Sequence, residues 1–208
     1  MHTLRRTGSY VNNSYMKPAK KESYHHGDLR SALVALALER VRKGGAESFS
    51  LREAARDAGV TSGAAYKHFA DKDELLAAVA AEALALLAQR SEKATASLKG
   101  KKRLHASAMA YIDFAASEPR LFRLAFSRFG SDGATETQGV PGAFTQLRVA
   151  VAELQDDPAK PVDADALALA WAVVHGIASL ISDGMWKRND PRVPAALRLS
   201  FKGIAPGK

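Results

Sequence analysis

The 208-residue chain contains no cysteine. Its absence excludes disulfide frameworks, thiolate metal sites and cysteine nucleophiles, is compatible with a reducing cytosol, and leaves His and carboxylates as the ligand types for any metal. Aromatic residues make up only 7%. Strand signals are scarcer still, since no stretch sustains period-2 alternation. There is no glycine-rich phosphate loop, nucleophile elbow or His-Glu-x-x-His motif, so neither catalysis nor a cofactor is expected. His25 and His26 are adjacent and cannot share one helical face, which makes them a poor metal pair. Met1 to Lys21 carries Arg5, Arg6, Lys17, Lys20 and Lys21 without the apolar core of a signal peptide. The longest apolar run, Ala164 to Ile181, includes Asp165 and His175 and falls short of a membrane span of about 20 residues. No membrane partner is expected, and that run reads as a buried helix.

What is present is a globular composition, 47% hydrophobic and 25% charged, in a length that suits one large or two smaller compact units. The net charge of +8 is unevenly spread: residues 1–70 hold 12 Lys+Arg against 6 Asp+Glu, whereas residues 71–208 hold 18 against 16. A basic first third favours polyanions such as nucleic acid or an anionic surface. Residues 1–23, rich in Ser, Asn, Gly and Tyr, read as a flexible basic arm in which Met16 is an alternative start.

From Asp28 onward, alanine-rich stretches with apolar residues at i, i+3, i+4 and i+7 predict an all-α protein. A first helix starts near Gly27-Asp28, with Asp28 at its positive end, and gathers Leu29, Ala32, Leu33, Leu36, Ala37 and Val41 on one face before Lys43-Gly44-Gly45 stops it. Ser50-Leu51-Arg52-Glu53 forms a capping-box pattern that opens a second helix ending near Ala58-Gly59. A third helix fits Thr61 to Phe69, and Asp71-Lys72-Asp73-Glu74 opens a long fourth through about Ala94. Further helices are expected over Lys101 to Ser117, Arg120 to about Phe129, around Phe144, Leu147, Val151 and Leu154, over Val162 to Ser182, and over Pro191 to Phe201. They are separated by Glu118-Pro119, a Gly/Ser/Thr-rich loop from Gly130 to Pro141, and Asp156-Asp157-Pro158.

The functional signal lies in residues 50–69. Two short helices meet at Gly59, which tolerates positive φ, with Ala54 and Ala55 small enough for a close crossing. In a helix-turn-helix the second helix offers its N-terminal residues to base edges, here Thr61, Ser62, Gly63 and Ala64. Tyr66, Lys67 and His68 carry donors for phosphate oxygens, and Lys72 adds a cation at the next helix start. Phe49, Leu51, Val60 and Phe69 make a plausible small core beneath. Short helix pairs of this kind also occur in proteins that bind no DNA, so the motif alone leaves both readings open.

Phe49-Ser50-Leu51-Arg52-Glu53-Ala54-Ala55, Ala58-Gly59-Val60-Thr61-Ser62-Gly63-Ala64-Ala65-Tyr66-Lys67-His68-Phe69 and Asp71-Lys72-Asp73-Glu74-Leu75-Leu76 resemble, in order and spacing, the N-terminal domain of the TetR/AcrR family of bacterial transcriptional regulators. The resemblance implies a cytoplasmic homodimer with a DNA-binding head over residues 24–72 and a helical effector-binding and dimerisation body over 73–208. It puts Thr61, Ser62 and Ala64 where the family reads bases, Tyr66, His68 and Lys72 where it grips phosphates, and Arg52 where a further phosphate contact is common. Ala65 departs from the pattern, since the family often has leucine there.

In the second half, Trp171-Ala172-Val173-Val174-His175-Gly176, together with Tyr111-Ile112-Asp113-Phe114-Ala115 and Pro119-Arg120-Leu121-Phe122-Arg123-Leu124, resembles a subgroup with a Trp/His-Gly signature. Trp171 and His175 share a helical face. They either line a ligand cavity, with Tyr111, Phe114, Phe122 and Phe126 as further candidates, or are packed core residues. Ala164 to Ile181, apolar nearly all round, suits either a dimer interface or a central core helix. The reading that emerges is a repressor that binds a palindromic double-stranded operator as a homodimer and is released by an apolar or aromatic small molecule. The alternatives are a DNA-binding protein without an inducer, or an interaction module whose basic head meets a protein or an anionic membrane.

Overall fold

A computed structural model describes residues 26–127 and 141–204, apart from 156 and 158. The expected arm, His25, most of the Gly/Ser/Thr-rich loop, Asp156, Pro158 and the side chain of Asp28 lie outside the described residues. Among those residues the protein is all-helical: α1 (His26–Gly44), a 3-10 turn (Ala46–Ser48), α2 (Leu51–Asp57), α3 (Ser62–Tyr66), α4 (Lys72–Thr95), α5 (Gly100–Ser117), α6 (Pro119–Ser127), α7 (Pro141–Ala152), α8 (Ala164–Ser182) and α9 (Arg192–Ile204).

Local chemistry sets the boundaries of the first four helices. Gly45, at φ 86°, ends α1 while its N–H donates to the Val41 carbonyl at 2.8 Å. The Ser50 N–H donates to the Glu53 carboxylate at 2.7 Å and the Glu53 N–H donates to Ser50 Oγ at 3.3 Å, completing the box that starts α2. Beyond α2, the Val60 N–H reaches the Ala55 carbonyl and the Gly59 N–H that of Arg56, both at 3.0 Å, with Gly59 at φ 71°. This is a Schellman turn, which needs a left-handed residue where the chain has glycine. Helix α3 is shorter than predicted and stops at Tyr66. The N–H groups of Lys67 and His68 turn to carbonyls three residues back, Ala64 at 3.3 Å and Ala65 at 2.9 Å, which closes the helix as a tight 3-10 turn. Asp71 Oδ1 accepts from the Glu74 N–H at 2.8 Å, so α4 begins at its cap and runs 24 residues, about 36 Å at 1.5 Å per residue.

Leu29, Leu33, Ala37 and Val41 bury one face of α1. Phe49, Leu51 and Phe69 are buried with Ala54, Ala55 and Ala65 between α2 and α3, and the partly buried Val60 packs on them. The same core continues through Leu75, Val79 and Leu87 of α4 into Ile112, Leu121 and Ile177, so no gap in apolar packing separates the first four helices from the rest.

A polar latch adds to that continuity. Glu118, at the α5–α6 corner, accepts from Arg42 Nε at 2.7 Å and pairs with Arg90 of α4 at 3.3 Å. Arg120 of α6 donates to the carbonyls of Arg42 and Lys43 at 3.2 and 2.6 Å, satisfying the C-terminal end of α1 from outside. Hydrogen bonding to Glu118 raises the Arg42 guanidinium pKa, fixing the cation more firmly.

Candidate nucleic-acid interface and aromatic body core

Helix α3 owes its attitude to both ends. Thr61 Oγ1 accepts from the Ala64 N–H at 3.2 Å, which fixes the N-terminal turn. Ala65 and Phe69, both fully buried, hold the inner side. The outer side then presents Thr61, Gly63, Tyr66 and Lys67 exposed, with Ser62, Ala64 and His68 half-buried. Tyr66 is 46% exposed, well beyond what a packing residue needs. A Cβ built on Gly63 meets nothing within 4 Å, so the surface there is open to close approach.

Two cations flank this surface. Arg52 is exposed at the start of α2, and Lys72 opens α4 with its ammonium 5.8 Å from the Phe49 ring centroid. Among the described residues no ion pair engages Arg52, Lys67 or Lys72, so their charge is available to an outside anion. All nine sequence-predicted head residues lie between the start of α2 and the start of α4, and none of them is fully buried. The structure adds two supports that the sequence did not single out. Arg40 pairs with Asp57 at 2.5 Å, tying α1 to the end of α2, and the Arg30 guanidinium lies 4.7 Å from the Phe69 centroid. No sequence signal short of the tertiary contact identifies either one.

In the second half, Tyr111, Phe122, Phe126, Trp171 and His175 meet in one ring cluster, while Phe114 stands apart, fully buried beneath the Arg90 guanidinium. The Tyr111 hydroxyl and His175 Nδ1 are 2.8 Å apart, and Trp171 stacks on His175 at 5.1 Å between centroids. Burial raises the Tyr111 phenol pKa and lowers that of the His175 imidazole. Both shifts favour the neutral forms, and a neutral phenol and a neutral imidazole can share one hydrogen bond across that distance. The cavity beside Tyr111, Trp171 and Phe144 holds about 10 Å³, room for about one water. A larger guest requires these rings to move.

Helix α8 is buried along one side only. Ala168, Leu169 and Ala172 are exposed on the other, with Leu169 44% and Leu199 of α9 71% exposed. A Cβ built on Gly176 meets no atom within 4 Å, so within one chain no neighbour packs closely on this glycine.

Two family models match this chain: "Bacterial regulatory proteins, tetR family" over residues 33–79 and "Tetracyclin repressor-like, C-terminal domain" over residues 104–199. Among solved structures, a protein with unknown function from Rhodococcus sp. RHA1 is 33% identical at a TM-score of 0.70, covering 89% of this chain and 100% of its own. BioQ, solved with its natural double-stranded DNA operator, is 28% identical at a TM-score of 0.60, with 89% and 100% covered. BioQ from Mycobacterium smegmatis is 26% identical at a TM-score of 0.60, with 85% and 98% covered. With a matched family model in each half and the helix-turn-helix geometry inside the first of them, this chain belongs to the TetR family of bacterial regulatory proteins and carries that family's DNA-binding domain.

Proposed function

We propose that this protein is a ligand-responsive repressor that binds a palindromic operator as a homodimer and leaves it when a small apolar or aromatic effector binds the body. The observation that carries the DNA reading is the outer side of α3, where Thr61, Gly63, Tyr66 and Lys67 are exposed, with Arg52 of α2 and Lys72 of α4 as further cations that no ion pair engages among the described residues. Ser62 and Ala64 are the other base-edge candidates, with His68 as a phosphate donor. The exposed apolar side of α8 and α9, with Leu169 and Leu199 outward, supports pairing of two copies through a four-helix interface. The family's operator binding supports the double-stranded DNA partner, as BioQ does with its own operator.

In this reading residues 24–72 form the head and 73–208 the body, and Trp171, His175 and Gly176 mark the Trp/His-Gly subgroup. The effector enters beside the Tyr111–His175 pair by displacing Trp171 or Phe144, while Phe122 and Phe126 form the wall behind; Phe114 is a more remote support. Movement of α6 then reaches α1 through Glu118 and Arg120. The two heads lose the spacing of about 34–36 Å that successive major grooves require.

A mobility-shift titration on DNA from beside the gene tests this, at two salt concentrations, with the native protein, Tyr66→Phe and Lys72→Ala. Sequence-selective binding that weakens with salt and again in both variants is expected. Equal binding to all DNA, unaffected by either substitution, would refute the assignment of α3.

A further inference from the structure

Helices α5 and α9 enclose a groove of about 440 Å³, within the size range of small-molecule sites. Its floor is apolar: Leu104 and Leu197 are each 1% exposed, and Phe201 packs between them. Its rims are cationic. Lys101 stands on α5, and Arg198 and Lys202, four residues apart, face it from α9. His105, one turn beyond Lys101, adds an imidazole. No carboxylate lines the groove, and among the described residues no ion pair engages Lys101, Arg198 or Lys202.

We infer that this groove binds a small amphipathic anion, a carboxylate with an apolar tail, the tail on the leucine and phenylalanine floor and the carboxylate between the rims. A bare inorganic anion would leave the floor in water, and a neutral apolar molecule would leave the cations unanswered. A polyanion such as DNA needs a continuing run of free cations. On the α9 side of the groove Arg188 pairs with Asp113 and Arg192 with Asp190, while Lys99 and Lys102 beside Lys101 are exposed, so competition by DNA is part of the test. The groove also lies at the end of α4 remote from the head, because α5 starts where the roughly 36 Å of α4 stops. Its lining shares no residue with the cavity beside the His175 cluster, although Trp171 packs on the same apolar cluster as Leu104 and Phe201; the inference rests on neither the operator nor the effector reading, and its failure leaves both standing.

The test is calorimetric titration of sodium decanoate into the full-length protein, compared with Arg198→Gln/Lys202→Gln and with Trp171→Phe. Decanoate binds the native protein and Trp171→Phe alike. The double variant, with an unchanged melting temperature, binds at least about fivefold more weakly because two cations have left the carboxylate. Sodium phosphate and a DNA duplex do not displace decanoate. Any of four results overturns the inference: no decanoate binding by the native protein, equal affinity in the double variant, loss only in Trp171→Phe, or displacement by phosphate or DNA.

Discussion

Replacing Glu118 with glutamine keeps the shape of the α5–α6 corner and removes the charge that two helices share. The Glu118 side chain is 10% exposed, and its partners Arg42 and Arg90 are 33% and 42% exposed. A sheltered charge-assisted hydrogen bond contributes about 1.5–3 kcal/mol, whereas an exposed pair contributes about 0.2–1 kcal/mol. The Arg42 contact lies between these limits and the Arg90 contact near the lower one. Arg42 also keeps Glu39 as a second carboxylate, so the substitution strands no buried cation. The expected loss is about 1–2 kcal/mol, or roughly 2–8 °C in melting temperature for a chain of this size. Thermal unfolding followed by far-UV circular dichroism measures it. A double-mutant cycle with Arg42→Ala isolates the pair, with an expected coupling of about 0.5–1.5 kcal/mol. Unchanged melting in Glu118→Gln, or strict additivity in the cycle, would show that the Arg42–Glu118 contact does not help to hold α1.

Ser50→Ala removes the side chain that starts α2 and is expected to cost about 1 kcal/mol in urea denaturation, because the Glu53 N–H loses its partner. Ala65→Leu, which restores the residue common in the family, forces three heavy atoms into a fully buried site and is expected to cost about 1–3 kcal/mol; a stabilised variant would mean that the head has unfilled space. The pKa of His175 lies below its ordinary 6.5 through burial, so as pH falls through that value the unfolded chain takes up a proton that the folded chain does not. Stability therefore drops between pH 7 and 5, and His175→Gln reduces that drop; an identical pH dependence in the variant contradicts the assignment. On the alkaline side the Tyr111 phenol, raised above its ordinary 10.0 by burial, makes the folded chain lose stability above pH 10, and Tyr111→Phe flattens that limb.

Helix starts at residues 51 and 72 are legible because a cap is a contract among neighbours: Ser50 with Glu53 and Asp71 with Glu74 lie within one turn. The turn at Gly59 is legible for the same reason. The length of α3 is not, since the choice between i−4 and i−3 bonding at Lys67 and His68 depends on how Phe69 must turn inward to reach the core. The pairing of Trp171 with His175 follows from their spacing of four. Their meeting with Tyr111 requires α5 and α8 to lie side by side, and Phe114, three residues on from Tyr111, faces Arg90 of α4 instead. Glu118 reads in the sequence only as the residue before a proline. Its partner lies 76 positions away, and no local pattern encodes that distance.

Arg120 finishes a helix to which it does not belong. By supplying donors to the last carbonyls of α1, it makes the head unfit for exchange as a cassette. A head excised near residue 72, or grafted onto a foreign body, keeps Gly45 but leaves behind the side chain that satisfies the last carbonyls of its first helix. Such a fragment should fray from Arg42 onward and show fast amide exchange there, even with α2 and α3 intact. Any chimera that keeps the head sound must carry a cation equivalent to Arg120 at the same corner, so inheritance of this head is tied to a residue 48 positions beyond its apparent end.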